Sequence, residues 1–129
     1  MTAAEIYYLA DADLRAIADD VTGQHTVRDA GLLASAAARP QATVFGADAY
    51  PTLWEKSAAL LHSIAANRPL VDGNKRLAIA AAIILLARNG IDTTALDEDL
   101  AYDLMIDVAS GKIDDVSTIA ARLIAVLKQ

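Results

Sequence analysis

Residues 77–87 run Leu-Ala-Ile-Ala-Ala-Ala-Ile-Ile-Leu-Leu-Ala without a polar side chain, and no other stretch constrains the fold as much. The run is too short to span a bilayer, which takes about 20 apolar residues. A helix that is apolar nearly all round must be surrounded by other elements, so it belongs at the centre of a bundle. Asn89 and Gly90 close it in the usual manner of a helix C-terminus. Composition agrees: apolar residues make up 55% of the chain and aromatic residues only 5%. That balance suits close-packed helices better than a β-sandwich, which draws on β-branched and aromatic side chains.

Five further helical segments surround this one, and strand signal is almost absent. Residues 9–21 place Leu14, Ile17 and Ala18 at helical spacing, and Gly23 ends them. Residues 27–39 carry Leu32, Leu33 and Ala36, and Pro40 stops the helix. Residues 41–50 form a loop or short hairpin around Gly46. Pro51 suits the first turn of the next helix, where Leu53, Trp54, Ala58, Leu61 and Ala65 share one face. The apolar helix covers about residues 74–88. Segments 97–109 and 115–127 complete the set, each opening on acidic residues that complement a helix dipole. The expectation is an all-α fold in one domain, residues 1–129.

Several function classes are excluded or disfavoured. A net charge of −6 leaves no broad basic face for nucleic acid. The absence of cysteine removes disulfides and thiolate metal sites. The first residues show no cationic stretch followed by an apolar run, so no signal peptide is read and a cytoplasmic protein is expected. His25 and His62 lack a partner at ligand spacing, which argues against zinc.

One turn departs from this acidic background. Asn67-Arg68-Pro69-Leu70-Val71-Asp72-Gly73-Asn74-Lys75-Arg76 sets three cations against one carboxylate and runs into the apolar helix. Backbone N–H groups at a helix N-terminus attract anions. Gly73 permits close backbone approach, and Asp72 can hold a divalent cation. The pattern points to a phosphorylated ligand. Plainer readings stand beside it: Asp72 or Asn74 as helix caps, and Lys75 and Arg76 as solvated first-turn residues. Cations are unfavourable at that end of a helix unless an anion compensates them. His62 is read as structural, His25 as exposed in a loop and Trp54 as core. Arg28 is read either as holding the start of the helix it precedes or the loop at residues 41–50, or as forming with Asp29 an exposed ion pair of little energetic consequence. Tyr102, Asp103 and Asp107 are read as a polar face on the fifth helix.

The turn and its surroundings resemble the Fic/Doc superfamily, in particular its death-on-curing branch. Val27-Arg28-Asp29-Ala30-Gly31-Leu32-Leu33, Ala38-Arg39-Pro40 and Tyr50-Pro51-Thr52-Leu53-Trp54-Glu55-Lys56 also carry the resemblance. The family signature is, in words, His-Pro-Phe, any residue, Asp-Gly-Asn-Lys-Arg, and Lys75 points to the Doc branch. The resemblance implies a compact all-α bundle of about six helices around the apolar one, with a short flap at residues 41–50 that aligns a target peptide. It implies a toxin that uses ATP and Mg²⁺ to phosphorylate a threonine of elongation factor Tu. It assigns Asp72 to Mg²⁺, Gly73, Asn74 and Lys75 to an anion-binding nest, and Arg76 to phosphate charge. Its implied partner is an antitoxin of the Phd type. Two alternatives stay open: transfer of AMP to a protein hydroxyl, and a catalytically inactive module that binds nucleotide or antitoxin.

Two positions depart from the signature. Leu70 stands where the family has phenylalanine and is expected to pack the turn onto the core. Arg68 stands where the family has its general-base histidine. A general base needs a pKa near the working pH, and arginine stays protonated. The expectation is therefore an impaired or inactive form.

Overall fold

The computed structural model describes residues 5–129. Six helices carry the fold: α1 (Asp11–Thr22), α2 (Ala30–Ala38), α3 (Leu53–Asn67), α4 (Asn74–Arg88), α5 (Glu98–Ala109) and α6 (Val116–Val126). A two-stranded antiparallel hairpin, β1 (Thr43–Val44) and β2 (Ala47–Asp48), lies between α2 and α3. The fold is thus the all-α bundle with a small flap. Among the described residues, no helix is long and apolar enough to cross a membrane.

Helix starts follow local chemistry. The side chains of Asp29, Thr52, Asp97 and Asp115 each accept a hydrogen bond from a first-turn N–H of α2, α3, α5 and α6. Thr118 and Ser117 hydrogen-bond the Asp115 carboxylate and hold its pKa below the usual value. Pro51 lies outside α3, because Thr52 takes the cap and the helix opens at Leu53. Helix α1 starts two residues later than its apolar pattern suggests, since Ala10 occupies the cap position.

The core gathers Leu14, Leu33, Ile64, Leu77, Leu86, Leu104, Ile119 and Leu123, all fully buried. Helix α4 packs against α1, α3 and α5. Helix α3 shares the centre with it and also meets α2, α5 and α6. Alanines at 58, 59, 78, 81 and 82 are buried in these two helices, and small side chains let backbones approach closely. Trp54 is half-buried against the core, as expected.

The flap is tethered at its base and free at its tip. Lys56 is buried; its Nζ donates to the Tyr50 carbonyl at 2.6 Å and to Asp48 Oδ2 at 3.2 Å. Arg39 Nε donates to the Tyr50 hydroxyl at 2.9 Å. At the tip, Phe45 (φ 51°) and Gly46 (φ 81°) both take the left-handed conformation that a two-residue hairpin turn of the primed type requires. Phe45 is fully exposed there, so its side chain repays none of the backbone cost. Replacement by asparagine, which tolerates this region, is expected to stabilise the protein by about 1 kcal/mol. Urea unfolding of Phe45→Asn should show a higher midpoint with an unchanged slope.

Candidate functional site

The turn between α3 and α4 is built by long-range partners. Arg28 Nε donates to the Arg68 carbonyl and Arg28 Nη2 to the Asn67 carbonyl, both at 2.7 Å. These are the unsatisfied carbonyls at the end of α3, so one guanidinium caps that helix. The N–H groups of Arg28 and Asp29 donate to the Pro69 carbonyl, and Val71 N–H donates to the Thr26 carbonyl. A single antiparallel bridge pairs Val27 with Leu70. The exposed ion-pair reading of Arg28-Asp29 is thereby corrected. Arg28 holds the turn, while Asp29 caps α2.

Asn74 braces the same turn from the other side. Its Oδ1 accepts from Leu70 N–H at 2.9 Å and its Nδ2 donates to the Leu70 carbonyl at 3.0 Å. The side chain is therefore committed to Leu70, and only the Asn74 backbone N–H faces the front of α4. Asn74 is the first helical residue rather than the cap. Gly73 occupies the cap position, with no side-chain capping bond. Asp72 does not cap the helix either; its Oδ1 accepts from the adjacent Gly73 N–H at 2.8 Å. Leu70 is buried, as the packing reading expects.

Gly73 is required on two grounds. Its φ of 85° lies in the left-handed region, and a Cβ there would collide with Thr22 Cγ2. Beyond it, the N–H groups of Asn74, Lys75 and Arg76 donate to no described residue; the first helical bond of α4 is Leu77 N–H to the Gly73 carbonyl. These open donors sit at the positive end of the helix dipole.

A cavity of about 540 Å³ opens in front of them, lined by Arg68, Asp72, Gly73, Asn74, Lys75 and Arg76. The structure thus brings every predicted site residue to one cavity. Thr22, Gln24 and Thr26 also line it and escaped the sequence reading. The polar run Thr22-Gly23-Gln24-His25-Thr26 between two helices was the available signal. On the far side of Lys75 and Arg76, an apolar groove of about 700 Å³ runs between α4 and α5 past Ile79, Tyr102 and Met105.

The charge arrangement is selective. Arg15, Lys56, Arg88, Lys112 and Arg122 each lie within 4.0 Å of a carboxylate. Among the described residues Arg28, Arg39, Arg68, Lys75, Arg76 and Lys128 have no such partner; Arg39 is instead spent on Tyr50, His62, Ser63 and the Ala59 carbonyl, and Lys128 follows α6, whereas Arg28, Arg68, Lys75 and Arg76 all border the same turn. The polar-face reading of the fifth helix is refined too: Asp107 pairs internally with Arg122 at 3.2 Å.

Neither histidine lines the cavity. Arg39 Nη1 lies 2.8 Å from His62 Nδ1, and arginine can only donate, so Nδ1 is the acceptor. His62 Nε2–H then donates to Asp114 at 3.0 Å, leaving no free lone pair on the ring. The expectation that His25 is exposed is corrected: its side chain is 14% exposed. Its Nδ1 meets Asp19 Oδ1 at 2.6 Å. This hydrogen bond, and a second from the His25 N–H, hold the Asp19 pKa below its usual value.

A model of the Fic/DOC family matches residues 2–86, which include the turn and most of α4. The chain belongs to the Fic/Doc family. It is also 57% identical over 102 residues to Toxin Doc of Mycolicibacterium smegmatis (strain ATCC 700084 / mc(2)155), a match covering 78% of each chain. Helices α5 and α6 lie beyond the part that the Fic/Doc model matches.

The Gly73→Ala variant is expected to lose about 2 kcal/mol of stability, from both the positive φ and the Thr22 contact. Adding Thr22→Ser removes Cγ2 and should recover only the contact part. Chemical unfolding of the single and double variants separates the two contributions.

Proposed function

We propose that this chain is the toxin of a toxin–antitoxin pair, built as a phosphotransferase that moves the γ-phosphoryl group of ATP to a threonine hydroxyl of elongation factor Tu, and that Arg68 impairs it. One observation carries the reading: four cations without carboxylate partners border a turn whose following N–H groups are open. Such an arrangement in an acidic protein is compensated by a polyanion. The likeness to Toxin Doc supports the toxin role and an antitoxin partner, for which we propose the Phd type.

The residues present fit ATP with Mg²⁺. The cavity volume is in the range of small-ligand sites. Among the described residues no group of three or more acidic or histidine side chains gathers for an all-protein metal cage. Mg²⁺ does not need one, because it binds through one or two carboxylates plus substrate phosphates. Asp72 offers that carboxylate, with one oxygen oriented by Gly73 N–H. Bound there, the metal would neutralise phosphate charge.

Phosphoryl transfer depends mainly on position and charge. The N–H groups of Asn74, Lys75 and Arg76 and the side chains of Lys75 and Arg76 hold phosphate oxygens. The flap aligns the target segment. As the threonine oxygen bonds to the γ-phosphorus, the bond to the β-phosphate oxygen breaks and ADP leaves. The hydroxyl proton needs an acceptor at position 68, and a guanidinium has none to offer. His62 cannot substitute, since both ring nitrogens are engaged.

Removal of a general base costs about 10²–10⁴-fold in rate. Arg68→His is therefore expected to raise transfer by that factor, measured with γ-labelled ATP, Mg²⁺ and purified elongation factor Tu. Label arriving from the α-phosphate instead would indicate AMP transfer. No label from either position with Arg68→His would contradict the reading.

A further inference from the structure

We propose that Arg68 is itself a phosphate-binding residue, so that the cavity holds a nucleoside triphosphate without passing its phosphoryl group on. The inference rests on the reading of the cavity as a phosphate site.

Among the described residues Arg68 makes no side-chain hydrogen bond or ion pair that would explain it structurally. Its backbone is fully used: the N–H donates to the Ile64 carbonyl and its own carbonyl accepts from Arg28. Its side chain meets no acceptor among the described residues, although the chain carries 17 acidic residues. The side chain lines the same cavity as Lys75, Arg76 and the open N–H groups. Arg28, which grips the turn from the segment before α2, is spent on two carbonyls and is not interchangeable with it.

The backbone adds a second observation. Arg68 sits at φ 52° and ψ 65°, the left-handed conformation, where a non-glycine residue is costly and glycine or asparagine is the ordinary choice. The clamp on the turn imposes that conformation whatever the residue. An arginine here carries the cost without an internal contact to offset it.

The chemistry then favours one ligand class. A guanidinium presents paired N–H donors that match two phosphate oxygens and stays charged at any working pH. Arg68, Lys75, Arg76 and the helix end place more than three positive charges opposite the single Asp72 carboxylate. That excess suits a triphosphate better than a monophosphate. One substitution therefore has two effects: it removes the proton acceptor needed for turnover and adds a ligand for the phosphate chain.

Calorimetric titration with ATP and Mg²⁺ tests this on the native chain, Arg68→Gly, Arg68→Lys and Arg76→Ala. Glycine keeps the left-handed backbone, so Arg68→Gly is expected to fold with an unchanged circular dichroism spectrum. Its affinity for ATP is expected to fall about tenfold or more, the usual effect of losing charge-assisted hydrogen bonds. Arg68→Lys should recover part of the loss. If Arg68→Gly binds ATP as tightly as the native chain while Arg76→Ala binds weakly, the phosphate site stands and the role of Arg68 is overturned. If no form binds ATP at millimolar concentration, both readings fall.

Discussion

The clamp on the turn between α3 and α4 is the contact on which the rest of the site depends. Arg28 and Asn74 grip it from opposite sides, one through the carbonyls of Asn67 and Arg68, the other through both backbone groups of Leu70. Two helix ends of opposite polarity meet here. By capping the carbonyls of α3 with a guanidinium, the chain offsets the negative end of one helix and leaves the positive end of α4 facing open space. The same clamp forces Arg68 and Gly73 into left-handed backbone. Local strain of this kind persists only where the surroundings over-determine it.

Charge is sorted around that clamp rather than spread. Elsewhere on the molecule most cations find a carboxylate, as the pairs of Arg15 with Asp11 and Arg122 with Asp107 illustrate. At the turn they do not. Such a concentration is repulsive by itself and would be relieved by a bound anion, so a chain of net charge −6 carries one locally cationic cavity. The apolar groove beyond Lys75 and Arg76 shows the same helix serving a different surface, because Ile79 and Ile83 remain partly uncovered along α4.

Much of this was legible in the residues alone. The apolar run at 77–87 placed α4 in the interior, Asp97 and Asp115 marked the starts of α5 and α6, and Gly73 marked the turn. The motif residues converge on one cavity because they are neighbours in sequence. What escaped were partners far apart in the chain. Arg28 meets residues 39 and 40 positions away, and His62 reaches Asp114 across 52. No local periodicity encodes such contacts. His25 looked exposed because its loop is polar, yet its ring bonds Asp19 of α1, six residues earlier, and is largely covered. An asparagine at position 74 suggests a cap or a ligand, while its side chain takes a third role, bonding Leu70 four residues before it.

If the open N–H groups beyond Gly73 receive phosphate, a bound nucleotide must register there first. Backbone amide chemical shifts measured during titration with ATP and Mg²⁺ address it directly in a chain of 13.6 kDa. The largest shifts are expected at Gly73, Asn74, Lys75 and Arg76, saturating together with those of Thr22 and Gln24 across the cavity. Shifts confined to the flap or to the α4–α5 groove, with residues 73–76 unmoved at saturation, would contradict it.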